Sequence, residues 1–255
     1  MDAGAFTDVC KKYKALDPER DPEHEWCAML DAARRLLHAH DHIGARSAIR
    51  KVMRYSDTIW GLEDVHLIKP LRLMAESLSR EHDPLDSRNA AELGCLQQAL
   101  TIARRRLPPD HMEVGRLAGE VGNHLVIAGR LDEGCALMLE CVKIADENGN
   151  EYYSRFLEMV GQIRIEQGRP AEALPLIERA VRDHERRDAT SFGHALACFH
   201  MSRCLSALDR TKKALDNLEL ALRLVDADRV DGKRRHAPLM NEIMGEIDRV
   251  KSETH

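Results

Sequence analysis

The chain has 255 residues, 44% of them apolar and 32% charged, which is enough to bury a continuous core beneath a heavily solvated exterior. Lysine and arginine number 38 against 43 aspartates and glutamates, and this net charge of −5 argues against a broad basic face of the kind that holds nucleic acid. Aromatic residues make up 4%, no apolar run reaches the ~18 residues of a membrane span, and the N-terminus lacks a basic-then-apolar signal pattern, so a helical, cytoplasmic protein is expected.

In chain order, residues 1–22 read as an N-terminal helix to about Leu16 and a turn, in which Pro18 and Pro22 bar helix continuation. Residues 23–226 then read as paired helices: 23–39 with 43–55, 62–80 with 86–106, 111–128 with 131–147, 151–167 with 170–187, and 190–208 with 211–226. Pro70 should kink or break the third of these. Residues 227–255 read as a polar link followed by a helix from Pro238 to about Lys251. Its stripe of Leu239, Ile243, Ile247 and Val250 should cover the last pair as a cap, while Glu242, Glu246 and Arg249 face water.

The stretch Ser154 to Val181 shows the repeating unit most clearly. Gly168 can supply a left-handed residue that ends one helix, Pro170 suits the first turn of the next, and Gly161 allows the two helices to approach. Taking Ala180 as a marker near the end of the second helix, equivalents fall at Val52, Ala99, Cys141 and Ala221, spaced by 47, 42, 39 and 41 residues. Seven positions earlier stand Ala45, Glu92, Gly134, Ala173 and Ala214, and the facing positions of the first helices are Ala33, Ala75, Gly122, Gly161 and Ser202. Small residues fail outright only at Glu92, so the columns state a requirement for close helix packing.

Gly129-Arg130-Leu131-Asp132-Glu133-Gly134 and Gly168-Arg169-Pro170-Ala171-Glu172-Ala173, with Val121-Gly122, Leu125, Val160-Gly161, Pro175 and Arg179-Ala180, resemble tetratricopeptide repeats. Leu107-Pro108-Pro109-Asp110-His111 is similar to the inter-repeat segment of the kinesin-light-chain-like subtype. The likeness is good over 110–226, weaker over 26–106 and absent at both ends. Unit two departs through an extra loop, Arg80 to Arg88, and unit five through Asp209 in place of the turn glycine. The resemblance implies an all-α, right-handed solenoid of about five helical hairpins with end helices, acting as an interaction scaffold without catalytic residues.

Motifs that would carry chemistry are sparse. His38, His40 and His42 crowd one turn, but an exposed helix end offers little to fix a metal, and His24-Glu25 and His184-Glu185 lack the second histidine of a zinc-protease helix. His194 with Cys198 and His200 with Cys204 are spaced to share a helix face. No orienting partner or oxyanion loop accompanies them, and core packing is the expected role. Arg104, Arg105 and Arg106 read as a solvated helix end. The seven cysteines, among them Cys95, Cys135 and Cys141, fall mostly at apolar helical positions and read as buried reduced thiols. No catalytic residue, metal or cofactor is expected.

In this repeat class the first helices line a groove. Projection brings Arg34, Arg72, Arg116, Asn123, Arg155, Gln162, His200 and Arg203 toward it, with Asp31, Glu76, Glu120 and Glu158 nearby. Gly119, which has no packing or boundary role in sequence, should leave a shallow pocket there, flanked by Arg116 and Asn123 and faced by Arg155. Either the arginines and carboxylates merely neutralise one another, or the arginines capture an acidic or C-terminal-carboxylate peptide. A protein or peptide partner is thus expected, with no nucleic acid and no membrane. The alternative is a regulator whose groove senses a small ligand or peptide.

Overall fold

The structure, a computed structural model, describes residues 21–79, 87–149, 154–227, 229–230, 233–234 and 236–252. The expected N-terminal helix and most of the Arg80 to Arg88 loop lie outside these residues. The described helices are α1 (Pro22–His38), α2 (His42–Trp60), α3 (Ile68–Ser79), α4 (Ser87–Arg106), α5 (Met112–Ile127), α6 (Leu131–Glu147), α7 (Ser154–Glu166), α8 (Pro170–Asp188), α9 (Phe192–Ser206), α10 (Thr211–Ala227) and α11 (Ala237–Ser252). Between α10 and α11, β1 (Arg229–Val230) pairs antiparallel with β2 (Lys233–Arg234), inside the link expected to be irregular. The chain forms two compact units, Met1–Gly134 and Cys135–His255.

One turn design ends four of the first helices. His40, Gly129, Gly168 and Asp209 adopt φ of 60°, 79°, 71° and 57°. In each case the next residue's N–H reaches back to a carbonyl five residues earlier: Asp41 to Leu36, Arg130 to Leu125, Arg169 to Arg164 and Arg210 to Leu205, at 2.8 to 3.0 Å. These bonds satisfy carbonyls that a helix end would otherwise leave open, and the left-handed residue makes them possible. Asp209 does the work of the absent glycine because aspartate is among the few side chains that tolerate this region. Two of the following helices have a marked start: α2 is capped by Asp41, whose carboxylate accepts from Gly44 N–H, and α8 begins at Pro170, which has no N–H to lose.

Every member of the small-residue columns is buried, Glu92 included. In the first unit, a Cβ on Gly134 would stand 2.6 Å from the Gly122 carbonyl oxygen, so α6 approaches α5 at a point where only glycine fits. In the second, a Cβ on Gly161 would meet Ile177 Cγ1 at 2.5 Å, which is the close approach of α7 to α8 expected from Gly161.

The first unit has its core over α1 and α2, where Trp26, Leu30, Ala33, Leu37, Ile49 and Val52 pack together with Leu73 and Met74 of α3. Trp26 Nε1 donates to Ser56 Oγ at 2.9 Å, and the Trp60 ring stacks on His66 with centroids 3.7 Å apart. In the second unit, Leu239, Ile243 and Val250 of α11 pack on Cys198, Phe199, Leu218, Ala221 and Val225 of α9 and α10, with Ile247 partly buried beside them. Glu246 is half-buried rather than fully solvated, because Arg249 Nε donates to it at 3.0 Å and lies along the same surface.

Two boundaries differ from expectation. Helix α2 runs on to Trp60 and stops at Gly61, φ 99°. Helix α3 starts at Ile68 after a 3-10 turn, Val65–Leu67, so Pro70 sits in its first turn. An N–H there has no intrahelical partner to lose, and the helix runs on to Ser79 without a break. Arg105 and Arg106, expected to be a solvated end, hold the loop before this turn through Glu63. Arg105 pairs with its carboxylate, and Arg106 Nε donates to its carbonyl at 2.9 Å.

Candidate functional site

Four helices of the first unit enclose a cavity of about 340 Å³. Arg34 comes from α1, Lys69, Arg72 and Glu76 from α3, Glu92 and Leu96 from α4, and Glu120, Asn123 and His124 from α5. The i, i+3 and i+4 spacing along α3 and α5 sets these polar groups on one face of each helix, opposite the residues that fill the core. Arg72 forms a two-pronged ion pair with Glu120, its Nε donating to Oε2 at 2.9 Å and its Nη2 to Oε1. Burial works against the Arg72 charge, but Glu120, with Glu113 and Glu76, more than offsets it and holds the guanidinium pKa above its ordinary value.

Glu92 is the odd member of this wall. It is 6% exposed, and its ionic neighbour among the described residues is His124, whose Nε2 lies 3.3 Å from Oε1. No hydrogen bond from a described residue reaches its carboxylate. Burial pushes the Glu92 carboxyl pKa up, and the nearby His124 offsets only part of that rise.

A second buried carboxylate belongs to the second unit and is treated differently by its neighbours. Glu158 on α7 is 5% exposed, with His184 Nε2 of α8 2.7 Å from Oε1 and His200 Nδ1 of α9 3.1 Å from Oε2. Gln162, one turn along α7, meets the other nitrogen of His200. Arg187 Nη2 donates to Ser154 Oγ at 2.6 Å and stands 3.2 Å from His184 Nδ1. The His184 ring has room because residue 193 is glycine, where a Cβ would stand 2.8 Å from it. Burial alone would raise the Glu158 pKa, yet the hydrogen bonds from His184 and His200 bring it below the usual carboxylate value.

The projected groove residues thus fall into several kinds of place. Arg34, Arg72 and Asn123 line the cavity together, and Gln162 meets His200 in the second unit. Arg34 and Arg116 pair with carboxylates on their own helices, Asp31 at 3.3 Å and Glu113. Arg155 is exposed, 5.9 Å from the Phe156 ring, and Arg203 is half-buried. Gly119 is buried within α5 and is not part of the lining of this cavity. Glu92, His124, Lys69 and His184 were not among the projected residues. Glu92 alone carried a signal, as the exception in its column.

The remaining motifs are built into the scaffold. His38 ends α1, His40 is the left-handed turn residue and His42 opens α2. His194 Nδ1 lies 2.7 Å from the Ala189 carbonyl oxygen, and the Cys204 thiol donates to the Pro170 carbonyl at 3.3 Å. Burial pushes the Cys198 and Cys204 thiols up to about 12 and about 11 respectively, so both stay protonated. Cys135 and Cys141 are buried, Cys95 is half-buried and Cys27 is exposed, all as free thiols. Among the described residues, no helix is long and apolar enough to cross a membrane.

No protein-family model matches the chain, and no curated protein does. Solved structures do. The chain is similar to nearly identical TPR-like repeats of the kinesin light chain kind from Podosopora anserina, with TM-score 0.65, 14% identity and coverage of 83% of this chain and 100% of that one. It is similar to RapI in its apo form, with TM-score 0.72 and 14% identity over 98% of this chain but 65% of RapI. It is also similar to YrrB, a TPR protein with an unusual peptide-binding site, with TM-score 0.56, 14% identity and coverage of 86% and 92%. The fold is the tetratricopeptide-repeat fold. In tetratricopeptide order, α1, α3, α5, α7 and α9 are first helices and α2, α4, α6, α8 and α10 are second helices. Glu92 therefore projects from a second helix into a wall otherwise supplied largely by first helices.

Proposed function

We propose that the chain is a non-catalytic, cytoplasmic interaction module that binds a peptide or protein segment on the polar face of its first helices. The cavity of about 340 Å³ lined by Arg34, Lys69, Arg72, Glu92 and Asn123 is the observation that carries this reading. A concave site with a few convergent polar groups is where a tetratricopeptide fold can grip an extended segment. The peptide-binding site named for YrrB supports the same use of this fold. Arg72 is engaged by Glu120 and Arg116 by Glu113, so acidic side chains of a partner would meet Lys69 and, by displacing Asp31, Arg34, both exposed at the rim. Neither nucleic acid nor a lipid surface is part of the reading.

The test is selection from a displayed random-peptide library on the intact protein, repeated with Arg34→Glu and with Asn123→Ala. A shared sequence pattern should be enriched on the parent protein and its binding weakened roughly ten-fold or more by either variant. Absence of any enrichment, or binding to both variants as tight as to the parent, would count against a peptide site in this cavity.

A further inference from the structure

Glu92 breaks the rule that its column otherwise obeys. Ala45, Gly134, Ala173 and Ala214 put no polar atom at the corresponding place, whereas Glu92 puts a carboxylate there with 6% exposure. Alanine would satisfy the packing, so the fold has no need of this acid. A carboxylate at this depth that opens onto a cavity and accepts no hydrogen bond from a described residue gives up much of its hydration for little return. The cost becomes intelligible if a donor arrives from outside.

The chemistry of the cavity points to the kind of donor. Glu92 is the least exposed of its charged groups, and its Oε1 faces His124 at 3.3 Å. Arg72, the strongest cation of the wall, is spent on Glu120. Arg34 and Lys69 are exposed at the rim, and Lys69 lies 5.4 Å over the Trp26 ring without an ion pair. The inner end of the cavity is therefore an acceptor short of donors, with cations at its mouth. A guanidinium fork wants two parallel acceptors, whereas an ammonium is a compact charge with three donors that can serve a single carboxylate oxygen. A volume of about 340 Å³ holds a lysine side chain or a chain end, and no folded element.

We propose that this cavity binds a primary ammonium group of a partner segment, with Glu92 as its counter-ion and Arg34 and Lys69 meeting carboxylates that flank it. This rests on the reading of the chain as a peptide-binding module and names what the cavity recognises. The ammonium belongs either to a lysine side chain or to a free N-terminus.

Four probes separate the sources on the intact, ¹⁵N-histidine-labelled protein: tetraglycine amide, its N-acetyl form, Nα-acetyl-lysine amide, and the Nα,Nε-diacetyl form. At least one free amine should give a saturable shift of the His124 ring resonances, and its acetylated counterpart should give none. Which of the two amines binds assigns the source. Glu92→Gln should weaken that binding at least ten-fold. Glu92→Ala should abolish it while raising the Tm of the free protein. The idea is overturned if neither amine gives a saturable shift, if Glu92→Gln binds as the parent does, or if Glu92→Ala lowers Tm and so marks a structural role. Library peptides that bind the parent equally well with their amines blocked would sink this inference and leave the peptide-binding reading intact.

Discussion

Glu92 of the first unit and Glu158 of the second are carboxylates of nearly equal exposure, 6% and 5%, yet their surroundings treat them in opposite ways. Glu158 has a histidine nitrogen within hydrogen-bonding reach of each oxygen, and its pKa falls. Glu92 has one histidine at 3.3 Å and no hydrogen bond from a described residue, and its pKa rises. Burial is thus not what decides the fate of an ionised side chain in this fold. The number of donors that neighbouring helices bring to it decides, and that number separates a structural acid from one left open toward a cavity.

The largest expected effect is at Glu158. Glu158→Ala removes the common partner of His184 and His200 and leaves a void among α7, α8 and α9, and should cost about 3 kcal/mol in denaturant unfolding. A loss as small as that of an ordinary surface substitution would erase the contrast with Glu92, where truncation is expected to stabilise.

A pH series sharpens the comparison. The Glu158 pKa is lowered on folding from an ordinary value of 4.5, so its stabilisation is complete above about that pH and is lost as pH falls through the folded value. The Glu92 pKa is raised from the same starting value, so the unfolded chain ionises first, and stability is lost as pH climbs from about 4.5 through the folded value. Unfolding free energies measured from pH 3 to 8 for the parent, Glu158→Gln and Glu92→Gln should differ in these separate windows, with opposite slopes. Parallel curves for all three proteins would show that neither carboxylate responds as its contacts imply.

The smallest effect is expected at Asp209, an acid whose role is conformational. At φ 57° aspartate carries a penalty that glycine escapes, so Asp209→Gly should add about 0.5 to 1 kcal/mol to the unfolding free energy. A loss of stability in this variant would mean that the aspartate side chain itself supports the turn, and that backbone geometry alone does not explain the position.

Much of the scaffold was legible because close packing writes itself into sequence at fixed intervals. Ala33, Ala75, Gly161, Ala173 and Ala214 are small since two helices touch there, and Gly129 and Gly168 are glycine since the turn needs a positive φ. Pairings across helices were not legible. That Arg72 reaches Glu120 while Arg116 stays with Glu113 depends on the register between hairpins, which no local spacing encodes. Gln162 and His200 meet in the structure, and His184 enters their network from a second helix that the projection had left out. Gly119 invited a functional reading because its neighbours explained themselves, and the structure buries it within α5, outside the lining of the cavity.

The aromatic arrangement of the first unit has a spectroscopic consequence. The chain has 2 tryptophans, Trp26 and Trp60, and both lie in the α1–α2 hairpin, one bonded to Ser56 and the other stacked on His66. Emission excited at wavelengths where tyrosine is dark therefore reports on that hairpin alone, whereas the far-ultraviolet helical signal sums over every helix. Superimposable melting curves from the two signals would mean that the repeats come apart as one body, and a gap between them would measure how far the first unit can open while the second stays closed.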